Sequence, residues 1–134
     1  MSLTPDEIDE LLSQPHIAVV ATASADGEPH AMPIWYLWRD GKIFFHTGPT
    51  SKKVRNLRAN PRITVVVDTK QAPYKAVVVE GTAKELPDDR ELGRETAIHY
   101  LGEEMGSRYA ERSTGGGTLV VVEPTKFISW DYGR

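Results

Sequence analysis

The sequence predicts a small, mainly β protein with a few helices, folded as a closed or split antiparallel β-barrel. Short apolar or alternating runs recur along the chain, Asp-Gly turn signals separate the first three, and only three segments carry apolar residues at helical spacing. A barrel is favoured because closing a sheet removes its exposed edges. The length of 134 residues suits one domain, residues 1–134, and is too short for two.

The N-terminal segment carries the signals of a helix start. Thr4 is a favoured N-cap, Pro5 suits the first helical position, and Glu7 completes a capping box with Thr4. We therefore expect a short helix that begins after Thr4.

Six strands are predicted from β-branched, apolar and alternating runs. Asp26-Gly27 and Asp40-Gly41 are typical two-residue turns, so the first three strands should pair in order as a meander. The six strands cover residues 16–23, 30–38, 42–47, 63–68, 75–83 and, as the last, 119–122 with 127–130.

Two later segments have helical periodicity. Residues 51–59 form a short helix on this pattern, ended by Asn60-Pro61 because proline disfavours helix in the residue before it. Residues 88–112 carry apolar side chains at roughly helical intervals. The three glycines at 115–117 are interpreted as a flexible linker and not as a ligand cradle.

A cluster of hydroxyl and ammonium groups lies where the third strand gives way to the helix at 51–59. Hydroxyls, ammonium groups and the unpaired N–H groups of a helix start can converge there on one phosphate. The alternative interpretation is a solvated helix start, which is common on protein surfaces. The cluster consists of Thr47, Thr50, Ser51, Lys52 and Lys53.

The aromatic strand just before this cluster is unusual. Pro33 donates no ladder hydrogen bond, so the strand should be an edge or face something other than another strand. A planar ligand could use that edge, with Trp35, Tyr36 and Trp38 as aromatic walls. The alternative is an edge strand of a barrel whose aromatic side chains belong to the core.

Composition weighs against several classes of function. A net charge of −3 argues against general binding of nucleic acid or acidic membranes, and the absence of cysteine removes disulfides, thiolate sites and cysteine nucleophiles.

His30 and His46 are expected on neighbouring strands, but no third ligand has suitable spacing, so no metal site is predicted. No nucleophile elbow, P-loop or dinucleotide-binding glycine motif occurs. With no targeting signal and no window near the roughly 18 apolar residues that span a bilayer, a cytoplasmic protein is expected.

Trp130 ends the last strand and should lie at the rim of the barrel. It would either reach across to a second copy of the chain or plug its own barrel.

The order of these motifs resembles the pyridoxamine 5′-phosphate oxidase-like flavin-binding split barrels. The resemblance runs from the aromatic strand and the Asp-Gly turn through I-F-F-H-T and S-K-K-x-x-N-L-R-x-N-P-R to a Val-rich strand that ends V-E-G-x-A. Within that superfamily the chain looks closest to the small reductases that depend on coenzyme F420, a deazaflavin, or on FMN. The resemblance implies a six-stranded antiparallel split barrel of the FMN-binding type.

The resemblance also implies a homodimer with FMN or coenzyme F420 bound at the subunit interface, and it implies the residues that hold the cofactor. The strand beside the ring would be Ala31, Met32, Pro33, Ile34, Trp35 and Tyr36; His46 and Thr47 would contact ring or phosphate; Ser51, Lys52 and Lys53 would hold the phosphate; and Trp130 would complete the site. Hydride transfer by the cofactor needs no side-chain nucleophile. A general acid could be Tyr36, His46 or an ordered water.

The chain departs from the oxidase at several positions. Lys52 replaces an arginine, Ala76 stands where the oxidase has a glutamine, and the C-terminal Arg-x-His element has no counterpart. These departures weigh against pyridoxamine phosphate as the substrate. Two other functions remain open: a carrier or sensor that binds flavin, deazaflavin or heme without turnover, and an RNA-binding barrel that uses the basic residues between 52 and 62.

Overall fold

The structure, a computed structural model, describes residues 1–113 and 115–133, which form four helices and one seven-stranded antiparallel sheet. The sheet has the strand order β2-β1-β5-β6-β7-β4-β3 and curls into a half-barrel. The predicted mainly β, antiparallel architecture is confirmed. In chain order the elements are α1 Pro5–Leu12, β1 Ala18–Ala23, β2 Pro29–Ile34, β3 Leu37–Arg39, β4 Lys42–Thr47, α2 Lys52–Ala59, β5 Arg62–Asp68, β6 Lys75–Leu86, α3 Arg90–Leu101, α4 Glu103–Arg112 and β7 Thr118–Asp131.

The predicted count of six strands is wrong because the run at 30–38 is divided into two strands. The division falls at Trp35 and Tyr36, where Tyr36 turns into the core and its hydroxyl donates a hydrogen bond to Leu12 O at 2.9 Å. β2 pairs with β1, and β3 pairs with β4. Both predicted hairpin pairings are thus confirmed, but the division separates the two hairpins to opposite ends of the strand order, so the prediction of one continuous meander is wrong. His30 and His46 consequently do not lie on neighbouring strands.

Local signals in the sequence are confirmed where they depend on short-range geometry. Thr4 Oγ1 accepts from the N–H of Glu7 at 3.2 Å, and Glu7 Oε1 accepts from the N–H of Thr4 at 2.9 Å. Asp40 and Gly41 have positive φ values of 54° and 72°, the combination that a tight two-residue hairpin requires.

The helical segment predicted at 88–112 is two helices that pack as a hairpin. Gly102, with φ +88°, separates α3 from α4. A Cβ at Gly106 would lie 2.4 Å from the Cα of Ile98, so only glycine allows the two helices to approach this closely. None of the helices in the described part of the chain has the length and apolar character needed to span a membrane.

The inner face of the half-barrel holds the core. Val20, Val65 and Val79 face one another across β1, β5 and β6 and are completely buried. Leu11 and Leu12 of α1 pack against the same cluster. Fully buried aliphatic side chains of this kind each contribute about 1.5–3 kcal/mol to folding.

The outer face is covered over only part of its area. Around β3, β4 and the start of β7, Leu92 of α3 packs against Leu37 and Leu119 in a second cluster. Elsewhere on the outer face, five apolar side chains, one from each of five neighbouring strands, lie in register; we call them the outer row. The outer row consists of Pro33, Val19, Val66, Val78 and Ile128.

Candidate cofactor cleft

A cleft of about 530 Å³ opens where the ends of β2 and β4 meet the start of α2 and the α3–α4 hairpin. This volume lies in the range of small-molecule and cofactor sites. The lining comes from strand ends, the start of α2, the α3–α4 hairpin and a glycine-rich loop. It consists of Pro33, Ile34, Trp35, His46, Thr47, Gly48, Lys53, Asp88, Asp89, Arg90, Gly93, Arg94, Thr96, Tyr109, Ala110, Ser113, Gly115, Gly116 and Gly117.

The two adjacent lysines of α2 point in different directions. Lys52 is on the outer side of the helix and pairs with Glu28, with Nζ and Oε1 3.2 Å apart. Lys53 lines the cleft, is only 9% exposed, and forms no ion pair with any residue in the described part of the chain. Burial lowers the pKa of the Lys53 ammonium from its ordinary value of 10.5.

The start of α2 adds hydrogen-bond donors beside Lys53. Ser51 is the N-cap, but its side chain does not bond to the helix; the hydroxyl of Thr47 donates to Ser51 Oγ at 3.4 Å instead. The first backbone N–H groups of a helix have no intrahelical partner. The N-terminal turn of α2 and the Lys53 ammonium therefore present a region that favours an anion.

Trp35 forms an aromatic wall of the cleft. Its ring stacks on Tyr100 at 5.0 Å with an interplanar angle of 6°, and Tyr109 lies 5.5 Å away at 51°. The Tyr100 hydroxyl donates to His16 O at 2.7 Å and accepts from the N–H of Tyr36 at 3.1 Å. Burial raises the pKa of Tyr100 to about 12, so the phenol stays protonated and holds the wall in place.

His46 contacts the start of α3. Its Nε2 lies 3.3 Å from Asp88 Oδ1 and 3.4 Å from the backbone N of Asp89. The ring packs beside Gly93, where an added Cβ would stand 3.7 Å from Cε1. One imidazole is thus held between a carboxylate and a backbone donor at the edge of the cleft.

The glycine-rich loop forms another wall, contrary to the prediction that it is only a linker. Gly115 and Gly116 have φ values of +75° and +79°, which side-chain-bearing residues rarely adopt. A Cβ on Gly117 would lie 3.3 Å from Thr47 O, so a side chain there would press on the end of β4. The glycines let the loop lie close against the end of β4 and line that end of the cleft.

The structure brings together half of the residues expected to bind a cofactor. Those that line the cleft are Pro33, Ile34, Trp35, His46, Thr47 and Lys53. Those outside the lining are Ala31, Met32, Tyr36, Ser51, Lys52 and Trp130.

The residues outside the lining lie there for different reasons. Tyr36 is 1% exposed in the core, and Lys52 is tied to Glu28 at the surface. Trp130 is 39% exposed and pairs across strands with Ala76 on the outer face. Cofactor contact by each predicted residue stays a prediction.

The sequence analysis missed the contribution of α3, α4 and the loop after them. Asp88, Asp89 and Arg94 have no motif that marks them, and their approach to β4 depends on long-range packing. A usable signal was the run of three glycines, because a run that permits unusual φ values often marks a close approach to a ligand.

Comparison with known proteins agrees with this geometry. The profile of the pyridoxamine 5′-phosphate oxidase family matches residues 4–131. The chain belongs to the pyridoxamine 5′-phosphate oxidase family. The resemblance inferred from its motifs is thereby confirmed.

Relatives in this family are named as oxidoreductases. A 5a,11a-dehydrotetracycline/5a,11a-dehydrooxytetracycline reductase of Streptomyces rimosus is 29% identical over 138 residues, which cover 97% of this chain and 84% of the relative. A pyridoxine/pyridoxamine 5′-phosphate oxidase of Cupriavidus pinatubonensis is 33% identical over 98 residues, 72% of this chain and 43% of the oxidase. The chain thus spans less than half the length of that oxidase.

Solved structures share the fold. A conserved hypothetical protein of Mycobacterium tuberculosis superposes with a TM-score of 0.80 at 23% identity, covering 97% of this chain and 86% of that one. An F420 reductase superposes with a TM-score of 0.75 at 24% sequence identity, and the match covers 90% of this chain and 94% of the reductase. A FAD-binding protein of Mesorhizobium loti superposes with a TM-score of 0.74 at 26% sequence identity, and the match covers 96% of this chain and 95% of that protein.

Proposed function

We propose that this chain is an FMN- or F420-dependent oxidoreductase that transfers a hydride between its bound cofactor and a small organic acceptor. It works as a homodimer, with each cofactor held between two copies. The observation that carries the proposal is Lys53, a largely buried lysine that lines the cleft, is partly desolvated and has no carboxylate partner among the residues described. A desolvated cation without a counter-ion is costly, and an anionic ligand group offsets that cost.

The donor set fits the phosphate that FMN and F420 share. Lys53 supplies the charge, the N-terminal turn of α2 supplies N–H donors, and Thr47 supplies a hydroxyl. Lys52 stays outside the cleft, paired with Glu28 at the surface.

The ring system fits the opposite side of the cleft. β2 is an edge strand, paired on one side with β1 only, so its outer backbone groups are free to bond the edge of a ring. Pro33 lies in this strand and Trp35 forms a flat wall at its end. A tricyclic ring can lie along this strand with its phosphate arm at α2.

Hydride transfer of this type requires no catalytic nucleophile from the protein. A reduced flavin or deazaflavin supplies the hydride when bound, and the chain binds and orients it and keeps one ring face open to the acceptor. Similarity to a dehydrotetracycline reductase supports a redox function, and similarity to an F420 reductase and a FAD-binding protein supports a tricyclic cofactor. A single domain over residues 1–134 and a cytoplasmic location stay predictions.

The outer row supports the homodimer. Val19 is 38% exposed, and no helix in the described part of the chain covers the row, although it is apolar across five strands. Such a surface generally marks an interface. A second copy is the occupant proposed, because Trp130 lies on the same outer face near the end of β7 and could reach a cofactor held by the partner.

The dimer is tested by sedimentation of the Val66→Lys variant, which puts a charge in the middle of the outer row, against Glu111→Lys on the exposed surface of α4. Val66→Lys should sediment as a folded monomer with weakened cofactor binding, and Glu111→Lys as a dimer. Circular dichroism shows whether Val66→Lys is folded. A wild-type protein that stays monomeric at micromolar concentration would refute this part of the proposal.

The function is tested by titrating the purified protein with FMN and with F420, followed by absorbance and fluorescence. The bound cofactor is then reduced chemically, and menadione and cyclohex-2-en-1-one are added as acceptors. An oxidoreductase reoxidises its cofactor repeatedly with acceptor. Tight binding without turnover would identify a carrier, and lack of binding to either cofactor would overturn the proposal altogether.

A further inference from the structure

His46 has a neighbourhood that cofactor binding does not explain. It ends β4, its side chain is 23% exposed at the cleft, and its nearest charged partner is a carboxylate. We propose that His46 donates the proton that accompanies hydride transfer and that Asp88 is the positioning residue for its imidazole. This inference rests on the proposed function, because it assigns a role within the same site.

A carboxylate and a backbone N–H group compete for one ring nitrogen. The N–H of Asp89 donates a hydrogen bond to Nε2 of His46 at 3.4 Å, and Asp88 Oδ1 lies 3.3 Å from the same nitrogen, within ion-pair distance. Nε2 accepts from an N–H only when it carries no proton, and it can donate to a carboxylate only when it does. The two contacts therefore belong to different states of the ring, and Nε2 has a neighbour suited to each.

The contact of Nε2 with Asp88 leaves Nδ1 as the atom that exchanges the proton. A bond to an ionised carboxylate is stronger than a long N–H···N contact, so Asp88 favours the ring with hydrogen on Nε2. Nδ1 has no hydrogen-bond partner among residues 1–113 and 115–133. Gly93 lies against this edge of the ring, where an added Cβ would stand 3.9 Å from Nδ1.

Among the charged groups around His46, Asp88 is the carboxylate that contacts the imidazole. Asp89 is already engaged as the N-cap of α3, accepting from the N–H of Leu92 at 3.1 Å. On the other side of β4, the cross-strand neighbour of His46 is the apolar Leu119. The imidazole shares the cleft with three cations, and Asp88 is the carboxylate that contacts it. The charged residues that line the cleft with His46 are Asp88, Asp89, Arg90, Arg94 and Lys53.

The reaction needs one proton for each hydride. With an α,β-unsaturated ketone as acceptor, the hydride adds at the β-carbon, the C=C π bond breaks and its electron pair moves toward the carbonyl oxygen. The proton from Nδ1 of His46 then forms the new C–H bond at the α-carbon. The acceptor gains two electrons, the cofactor loses two, and His46 recovers a proton from solvent.

The first test uses the protein without cofactor. Nitrogen chemical shifts of the His46 ring, recorded by NMR, report its tautomer. We expect the neutral ring to be in the Nε2–H form in wild type and Asp88→Glu, and to move toward the Nδ1–H form in Asp88→Asn. An Nδ1–H ring in wild type, or an unchanged tautomer in Asp88→Asn, would overturn the pairing.

The second test measures turnover of cyclohex-2-en-1-one with the cofactor that binds. His46→Gln should lower kcat by about 10²-fold with little change in KM and should remove the basic limb of the pH profile. His16→Gln, whose imidazole lies outside the cleft, is the matched control. Normal turnover in His46→Gln refutes the proton donor alone, whereas no turnover in wild type refutes the proposed function and the donor with it.

Discussion

Replacing Lys53 by methionine tests the phosphate site most directly. Methionine keeps most of the aliphatic stem and removes the charge, so packing changes little. Lys53 is 9% exposed and has no ion-pair partner in the described part of the chain, so its ammonium is available to a ligand phosphate. A buried charge-assisted contact of this kind contributes about 2–3 kcal/mol to binding, which predicts cofactor affinity roughly 30- to 150-fold weaker.

Lys52→Met is the matched control because it changes the neighbouring residue in the same way. Lys52 is paired with Glu28 at the surface, with its side chain 42% exposed. An exposed pair contributes at most about 1 kcal/mol, so affinity should fall by less than about fivefold. Fluorescence titration with FMN and F420 measures both variants.

The stability of the cofactor-free protein should change in the opposite direction. Removing an unpaired, desolvated ammonium group leaves the folded state equally or more stable, so Lys53→Met should unfold at the same or a higher urea concentration. Weaker binding together with unchanged or greater stability distinguishes a ligand contact from a structural defect. Equal cofactor affinity in wild type and Lys53→Met, or an equal loss in Lys52→Met, would refute the reasoning.

Three further outcomes are expected from urea unfolding. Burial lowers the pKa of Lys53 from 10.5. The unfolded chain therefore binds more protons between the lowered pKa and 10.5, so the stability of the cofactor-free protein should rise with pH across that interval and Lys53→Met should remove this Lys53-dependent rise. Gly106→Ala should cost about 2–4 kcal/mol because its Cβ would lie 2.4 Å from Ile98 Cα; unchanged stability would contradict that close approach. Tyr36→Phe should cost about 1–2 kcal/mol because it removes the 2.9 Å hydrogen bond to buried Leu12 O, and a neutral effect would show that water replaces it.

Much of the site could be located from the sequence because its parts are local. The hydroxyls and lysines at 47–53 are close in sequence, so a strand-to-helix junction brings them together without help from distant residues. Helical phase even indicates which lysine faces inward: Lys53 is four residues before Leu57, and these positions share one face of a helix. Lys52 is about 100° away on the same helix.

Other parts of the site could not be predicted because they depend on pairs far apart in sequence. The break between β2 and β3 exists because the core takes up Tyr36, whose hydroxyl meets the end of α1. The approach of Asp88 to His46 requires α3 to cover the outer face of β4. Neither contact leaves a periodic signal in the chain.

The amino-acid sequence by itself determined the mainly β class, the cap of α1, the hairpin turn at Asp40-Gly41 and the strand-to-helix junction that carries the hydroxyls and lysines, because each depends on residues within a few positions of one another. Only the tertiary structure decided the strand order, the walls that α3, α4 and the glycine loop add to the cleft, and the carboxylate beside His46. Those features follow from burying apolar faces of distant segments against one another, and the chain reaches that arrangement only when the whole sheet has formed.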